Sequence, residues 1–518
     1  MKKLWPKLRK YAKGEIRSRL DRVEVPTRDS DGEIIGWRSV TAPAELFKTL
    51  LAQNVTHFSQ AKDTPFVTGP LGQKLHPFEQ NQFSESILQG TVNLTGLSLN
   101  TAIHACIQEM CFPSGEDGLD PVSDLISSED LSDEFKMLSE DISSSPSGRH
   151  IGHYKAALGD PDLCTMYATV LSIPFKHGFT LHWWTSAVQV MLEKTKGCAR
   201  VEKLRVIQLM EADLNMALHI IFGRRLIHRA EDQGTIPLTQ CGSQPNRSST
   251  DAILLKQISY DGLSLCRKSA IIFNNDCKAA FDQMIPSVGG IALRRLGASS
   301  SSVSTLLQTL QQMKYKVKTS LGLSEESFSN ADNWVLETLQ GSEASPCLWL
   351  TITCVLLGAL QKRSPGITFS NPQGTLTCNC IGKAYVDDTE LWLTMPDRDI
   401  TQLAQEMQKI AQHWEQLLYT TGDALALGKY FYVALQWSFP NDEHTLCPPS
   451  MIKTDIALTS GNMYHRHMAI AQSAPSEGRR NLGAWIAPDG NNVADLEILC
   501  KKKHSMSHNI AASHLQRH

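Results

Sequence analysis

The chain is poor in the features that mark several common protein classes. No apolar run reaches the roughly 18 residues that a membrane-crossing helix needs. The longest, Cys347 to Leu360, is interrupted by Thr351, Thr353 and Cys354 and reads as a buried helix. The thirteen cysteines include no Cys-x2-Cys pair, and no secretory leader stands before them. They therefore read as reduced thiols of an intracellular protein. Basic excess is missing too: 50 Lys and Arg face 53 Asp and Glu, for a net charge of -3. Any grip on nucleic acid has to come from local clusters. With 42% hydrophobic and 20% charged residues, the 518-residue chain buries a substantial core and is not a disordered protein.

What the chain does contain is an acid pair in an apolar setting. Ile381-Gly-Lys-Ala-Tyr-Val-Asp-Asp-Thr-Glu-Leu-Trp-Leu393 predicts a β-hairpin carrying Asp387 and Asp388 at its tip. Adjacent carboxylates repel, so such a turn calls for a cation, most economically a divalent metal shared with a third acid. Upstream, Ala270-Ile-Ile-Phe273 reads as a buried strand leading to Asp276, which supplies that acid from a neighbouring strand. Alone, the Tyr-x-Asp-Asp tetrapeptide reads more readily as a solvated turn. Between the two acidic sites, Gln340-Gly-Ser-Glu-Ala-Ser-Pro346 places a proline at the start of an apolar helix.

In this order, an Asp-x4-aromatic motif, Gln-Gly-x3-Ser-Pro and Tyr-x-Asp-Asp, the chain resembles the reverse transcriptases, in particular those of non-LTR-type retroelements. The resemblance covers roughly residues 140 to 490. It implies an α+β fold, the right-hand polymerase with fingers and palm, an antiparallel palm sheet backed by helices (the Cys347 helix among them) and a truncated thumb. The expected organisation is a helical N-terminal extension over residues 1–115, a flexible linker over 116–142, fingers over 143–270, palm over 271–440, and a primer-grip hairpin with the start of a thumb over 441–518. The implied activity is RNA-directed DNA polymerisation. Its partners are an RNA (or DNA) template, a DNA primer and deoxynucleoside triphosphates, with no membrane involved.

Nucleotide addition requires an activated 3′ hydroxyl and neutralisation of a charged phosphorane. Two Mg2+ ions, which Mn2+ can replace, serve both ends. The resemblance assigns Asp276 and Asp387 as bridging ligands with Asp388 in support, and Lys429, in Thr420-Thr-Gly-Asp-Ala-Leu-Ala-Leu-Gly-Lys429, as an acid toward pyrophosphate. Asp423 and Gly428 depart from that motif. Asp423 is expected to tolerate a left-handed backbone where a second glycine is usual. Lys194 and Arg205 would hold the triphosphate, and Phe281, five residues after Asp276, would act as a steric gate against ribonucleotides. Gln340 and Gly341 would line the nucleotide pocket, and Ser345 and Pro346 would shape a template-supporting helix. Arg247 would touch the template backbone, Tyr385 and Val386 would lie near the primer end, and Leu482 and Gly483 would form the turn that grips the primer.

Other stretches carry two readings. Residues 1–22 hold nine Lys or Arg against two acids, as a solvated helical face or as a phosphate contact. Ser143 to Tyr154, with Arg149, His150, His153 and Lys155, reads as a template-contacting entrance to the fingers or as a turn. Thr41-Ala-Pro43 opens a helix, and Asp213 is expected to cap another, at whose end Arg224 and Arg225 complement the helix dipole. Cys500, His504 and His508 recur every four residues, with His514 or His518 as a fourth candidate ligand, but a polar Lys-rich terminus explains them without a metal. The alternative function is a catalytically decayed retroelement remnant that only binds nucleic acid.

Overall fold

The computed structural model describes residues 20–113, 120–140, 146–278, 280–330, 335–336, 340–426, 428–439, 445–459 and 467–512. The basic stretch up to residue 19, residues 143–145, His514 and His518 lie outside the described residues. Helices and strands alternate in an α+β chain. It divides into two compact units, one within Met1–Leu97, Met110–Gln233 and Phe281–Ile352, the other within Ser98–Glu109, Gly234–Ala280 and Thr353–His518.

In the first unit, Pro43 opens the helix Pro43–Phe58, and Leu46, Leu50, Leu51 and Phe58 turn inward at helical spacing. An antiparallel pair, Val23–Arg28 with Ile34–Val40, comes before it, so the N-terminal region is not helical throughout. The expected flexible linker is also corrected: residues 128 to 137 form a helix, Ser128–Met137. Its Ser- and Asp-rich start is a capping box between Ser127 and Asp130, and its Leu131 and Phe135 are buried. Upstream of it, the Val122 amide donates to the Gly297 carbonyl.

The basic cluster at 224–225 pairs with that helix. Arg225 donates to Asp130 (2.6 Å) and Arg224 to Glu134 (2.8 Å). Asp213 proves not to be a cap, because Glu211 holds the N-cap position of Ala212–Leu218. The Asp213 carboxylate is instead wholly buried, accepting from Tyr167 Oη (2.8 Å) and from the indoles of Trp183 and Trp184 (3.2 Å each). Sequence spacing alone does not separate a cap from a buried acid two residues further along in the first turn.

The second unit is built on a five-stranded sheet in the order Gly382–Tyr385, Asp388–Leu393, Ala270–Asp276, Phe431–Leu435, Ala471–Ser473. The first four strands are antiparallel; the edge strand Ala471–Ser473 joins in parallel, so the sheet is mixed where a purely antiparallel one was expected. Alternation along the central strand sends Ile271, Phe273 and Asn275 to one face and Ile272, Asn274 and Asp276 to the other. On the first face lies the helix Ile400–Thr421, whose Trp414 indole donates to Asn275 Oδ1 (3.1 Å). On the second, Tyr260 and Leu263 of the helix Ser249–Leu265 pack with Ile272, Trp392 and Val433. That packing fills the far end of the face and leaves its near end, at Asp276, to polar side chains. The helix Ser345–Gln361 is buried along most of its length, and no helix among the described residues is long and apolar enough to cross a membrane.

His413, on the inner side of Ile400–Thr421, is 6% exposed. Burial, reinforced by the Arg363 charge, pushes its pKa down to about 4 from 6.5. The folded state therefore binds fewer protons than the unfolded state between these values, and stability falls as pH drops through that window. Chemical denaturation at pH 7 and at pH 4.5 should show the His413→Gln variant losing about 1–2 kcal/mol less than the parent, with solvent screening allowed for.

Candidate functional site

The carboxylates come together through strand register. Asp388 begins its strand and is paired across it with Tyr385 on one side and with Asp276 on the other. Cross-strand partners carry their side chains on the same face, with Cβ atoms about 4.5–5.5 Å apart. Between Tyr385 and Asp388 only Val386 and Asp387 make the turn, and Val386 takes φ 58°, a left-handed value that a β-branched residue adopts only under strain. The Asp387 carbonyl is held by the Cys277 amide (3.1 Å), which ties the turn to the end of the Asp276 strand.

The segment Thr239–Gly242 braces this turn from outside. Its amide and carbonyl groups pair with Ala384 (Ala384 N to Thr239 O, 2.7 Å; Cys241 N to Ala384 O, 2.8 Å). A Cβ on Gly242 would stand 2.5 Å from the Val386 nitrogen, so only glycine fits. The Gly242→Ala variant should force the turn outward and cost about 1–3 kcal/mol in urea unfolding, the usual price of overpacking. Arg247, further along this segment, is exposed in the loop leading into Ser249–Leu265.

Asp276, Asp387 and Asp388 line one cleft of about 610 Å³ together with Lys429, Arg479, Arg480 and Asn481. Lys429 forms an ion pair with Asp276. It is placed there by a short return of the chain: the Ala426 amide donates to the Asp276 carbonyl (2.8 Å), and Lys429 N to Ala426 O (3.2 Å). Gly422 takes the left-handed position (φ 112°) that ends Ile400–Thr421, while Asp423 is not among the positive-φ residues. The sequence departure at Asp423 thus needs no left-handed backbone. Its carboxylate is buried and accepts from the Ala424 amide (2.7 Å).

Beneath the carboxylates lies a charged layer that sequence reasoning missed. Lys383 and Glu390 are cross-strand partners, one row further into the sheet than Tyr385 and Asp388. Lys256 reaches Glu390 from the helix Ser249–Leu265 (2.6 Å), with both side chains almost wholly buried. Tyr260 Oη (2.9 Å) and the Trp392 indole (2.6 Å) donate to the same carboxylate. Burial alone would raise the Glu390 pKa, but Lys256 and Lys383 hold it below the ordinary value. The Lys383 pKa is pushed down by burial against the pull of Glu390 and Asp388. Burial pushes Asp388 up, and Asp387 and Asp276 add to the rise while Lys383 opposes it. The available signal was periodicity: Lys383 and Glu390 stand two residues from Tyr385 and Asp388 and so share their face.

A hard divalent cation suits this donor set in chemistry, since three carboxylates line one cleft, and it would have to displace the Lys429 ammonium that now neutralises Asp276. The side chains are turned toward protein partners, Asp276 to Lys429 and Asp388 to Asn481 (3.1 Å). Accordingly, among the described residues no group of three or more His, Cys, Asp or Glu side chains converges as a ready ligand set, the tail residues Cys500, His504 and His508 included.

The remaining residues singled out from sequence fall in two places. Leu482 (φ 50°) and Gly483 (φ 100°) form the two-residue turn of a hairpin, Arg479–Asn481 with Ala484–Ile486, in the same unit as the carboxylates. Lys194, Arg205, Phe281, Gln340, Gly341, Ser345 and Pro346 belong to the other unit. There Lys194 and Arg205 are exposed at one end of the antiparallel pair Ser186–Glu193 and Leu204–Leu209. The Gln340 carbonyl accepts from the Gln208 amide (2.8 Å), and a Cβ on Gly341 would stand 2.4 Å from the Gln208 carbonyl oxygen. Ser345 and Pro346 are the first two residues of Ser345–Gln361, and Phe281 is half-buried. No family model matches the chain, and no curated protein does.

Proposed function

We propose that the protein is an RNA-directed DNA polymerase, extending a primer 3′ end with deoxynucleotides on an RNA or DNA template. The observation that carries this reading is the register that sets Asp388 opposite Asp276 with Asp387 in the adjoining turn, all three lining one cleft. In this reading the five-stranded sheet is a palm, and the pair Ser186–Glu193 and Leu204–Leu209 is the fingers hairpin. Asp276 and Asp387 would hold magnesium, with Asp388 in support; the bound ions would activate the 3′ hydroxyl and neutralise the departing pyrophosphate.

The chain's own groups have separate tasks. Lys429, exposed and paired with Asp276, can swing toward a leaving phosphate and give it a proton. Lys194 and Arg205 would bind the triphosphate, Arg205 through its two-pronged guanidinium. Gln340, Gly341 and Phe281 would shape the nucleotide pocket, while Arg247 and the helix start at Ser345-Pro346 would support the template. Tyr385, Val386, Leu482 and Gly483 would meet the primer. A second reading, a decayed remnant that only binds nucleic acid, draws on the way Asp276 and Asp388 are occupied by Lys429 and Asn481.

Primer extension on a polyribonucleotide template with labelled deoxynucleotide tests both. Extension dependent on Mg2+ supports the polymerase. RNA binding without extension supports the remnant, and preferential ribonucleotide incorporation would replace both with an RNA polymerase.

A further inference from the structure

Asn481 is the last residue of its strand before the Leu482-Gly483 turn and is 8% exposed. Both ends of its amide are engaged: Oδ1 accepts from Lys383 Nζ (2.7 Å), and Nδ2 donates to Asp388 Oδ2 (3.1 Å). An ammonium group has only protons to give, and a carboxylate only lone pairs, so the amide fits between them one way round. The hairpin that carries Asn481 is a two-stranded sheet of its own, with no backbone ladder to the five-stranded sheet among the described residues. Side chains hold it to that sheet: Ile486 packs in the core cluster with Ile272 and Trp392, and Asn481 reaches the carboxylates.

Lys383 is itself fixed, since it is 1% exposed and its strand pairs with that of Glu390. Lys383 stands across the strand pair from Glu390, the buried partner of Lys256, and from Lys383 contacts run through Asn481 to the Asp388 carboxylate at the mouth of the cleft. Networks of this kind fix geometry more sharply than any single bond.

We propose that Asn481 is a positioning residue that sets the Leu482-Gly483 turn against the catalytic carboxylates and orients Asp388, so that primer placement and metal-ligand geometry are established together. This rests on the polymerase reading. Leucine at 481 keeps the volume but removes both contacts. Serine keeps one group that both accepts and donates, at shorter reach. Aspartate would keep the bond to Lys383 and set a second negative charge against Asp388.

The test is steady-state primer extension by the full chain and by Asn481→Leu and Asn481→Ser, with hydrogen exchange of the 482–486 amides measured on the same samples. N481L should lower kcat about 10- to 100-fold and raise the primer KM about fivefold, leaving the deoxynucleotide KM within about twofold. Its 482–486 amides should exchange about tenfold faster, and N481S should fall between N481L and the parent in each measurement. A residue that only stabilises the fold would lower the unfolding temperature without this split. An active parent whose N481L and N481S variants keep its kcat and primer KM overturns the inference alone. A parent that does not extend primers at all overturns the polymerase reading and the inference with it. Should N481L fail to fold, N481S decides the matter by the same measurements.

Discussion

Replacing Asp387 with Asn is expected to reduce primer extension by at least about two orders of magnitude, the scale seen when a main electrostatic stabiliser of a transition state is removed. The substitution keeps the size of the side chain and removes its charge. Asp387 is exposed in the two-residue turn, and its backbone carbonyl, which the variant retains, is what ties the turn to Cys277. The fold should therefore survive, with an unfolding midpoint close to the parent's. That combination separates Asp387 from the acids beneath it: activity lost with stability kept marks a group that acts on substrate or metal, whereas joint loss would mark a structural acid. Equal extension by parent and variant would trace the signal to a contaminant.

The largest stability effect is expected at Glu390. Its carboxylate receives Lys256, Tyr260 and Trp392 and is 1% exposed. Glu390→Ala leaves the buried Lys256 without its partner, and breaking such a pair from one side costs about 3–5 kcal/mol. Removing both partners, as in Lys256→Met with Glu390→Leu, leaves no orphaned charge in that pair and should recover most of the loss, because the attraction within a buried pair largely offsets its desolvation. Urea unfolding of Lys256→Met, of Glu390→Leu and of the double variant gives the coupling directly. If Glu390→Ala cost less than about 1 kcal/mol, the layer would be solvated and the picture of a dry, charged platform under the cleft would be wrong.

How much of this was legible in the sequence follows from the range of each interaction. The hairpin around Asp387 and the strand ending at Asp276 could be read from short apolar segments and their period, because alternation and turn length are local properties. The start of Pro43–Phe58 was equally plain, with proline in the first turn and apolar residues at helical spacing. The helix Ser128–Met137 was hidden by composition: a Ser- and Asp-rich stretch looks like a linker until Ser127 and Asp130 are recognised as a capping box and Leu131 and Phe135 as its buried face. Asp213 misled for a related reason, since an acid near a helix start fits a cap, and the three aromatic donors that bury it lie 29 to 46 residues away.

The charged layer was the hardest part to foresee. Lys256 and Glu390 are separated by 134 positions, and no period in the helix Ser249–Leu265 says which of its polar residues turns inward. Lys383 could have been suspected, being a lysine two residues before Tyr385 on a strand otherwise apolar enough to be buried. Its partner Asn481 lies 98 residues further along, at the head of the stretch Asn481 to Gly490, in which only Leu482 and Gly483 were given a role. The parallel edge strand Ala471–Ser473 is three residues long and carries too little pattern to announce itself.

The central claim is that side chains from two distant segments serve one divalent cation. It is met most directly by titrating the full chain with Mn2+ and counting free ion by electron paramagnetic resonance. Tight binding to the parent is expected, weakened at least about tenfold in Asp276→Asn and in Asp387→Asn alike, and less in Asp388→Asn, whose carboxylate is already engaged by Asn481. Binding that is absent from the parent, or that is the same in all four proteins, would mean that these carboxylates share no ion.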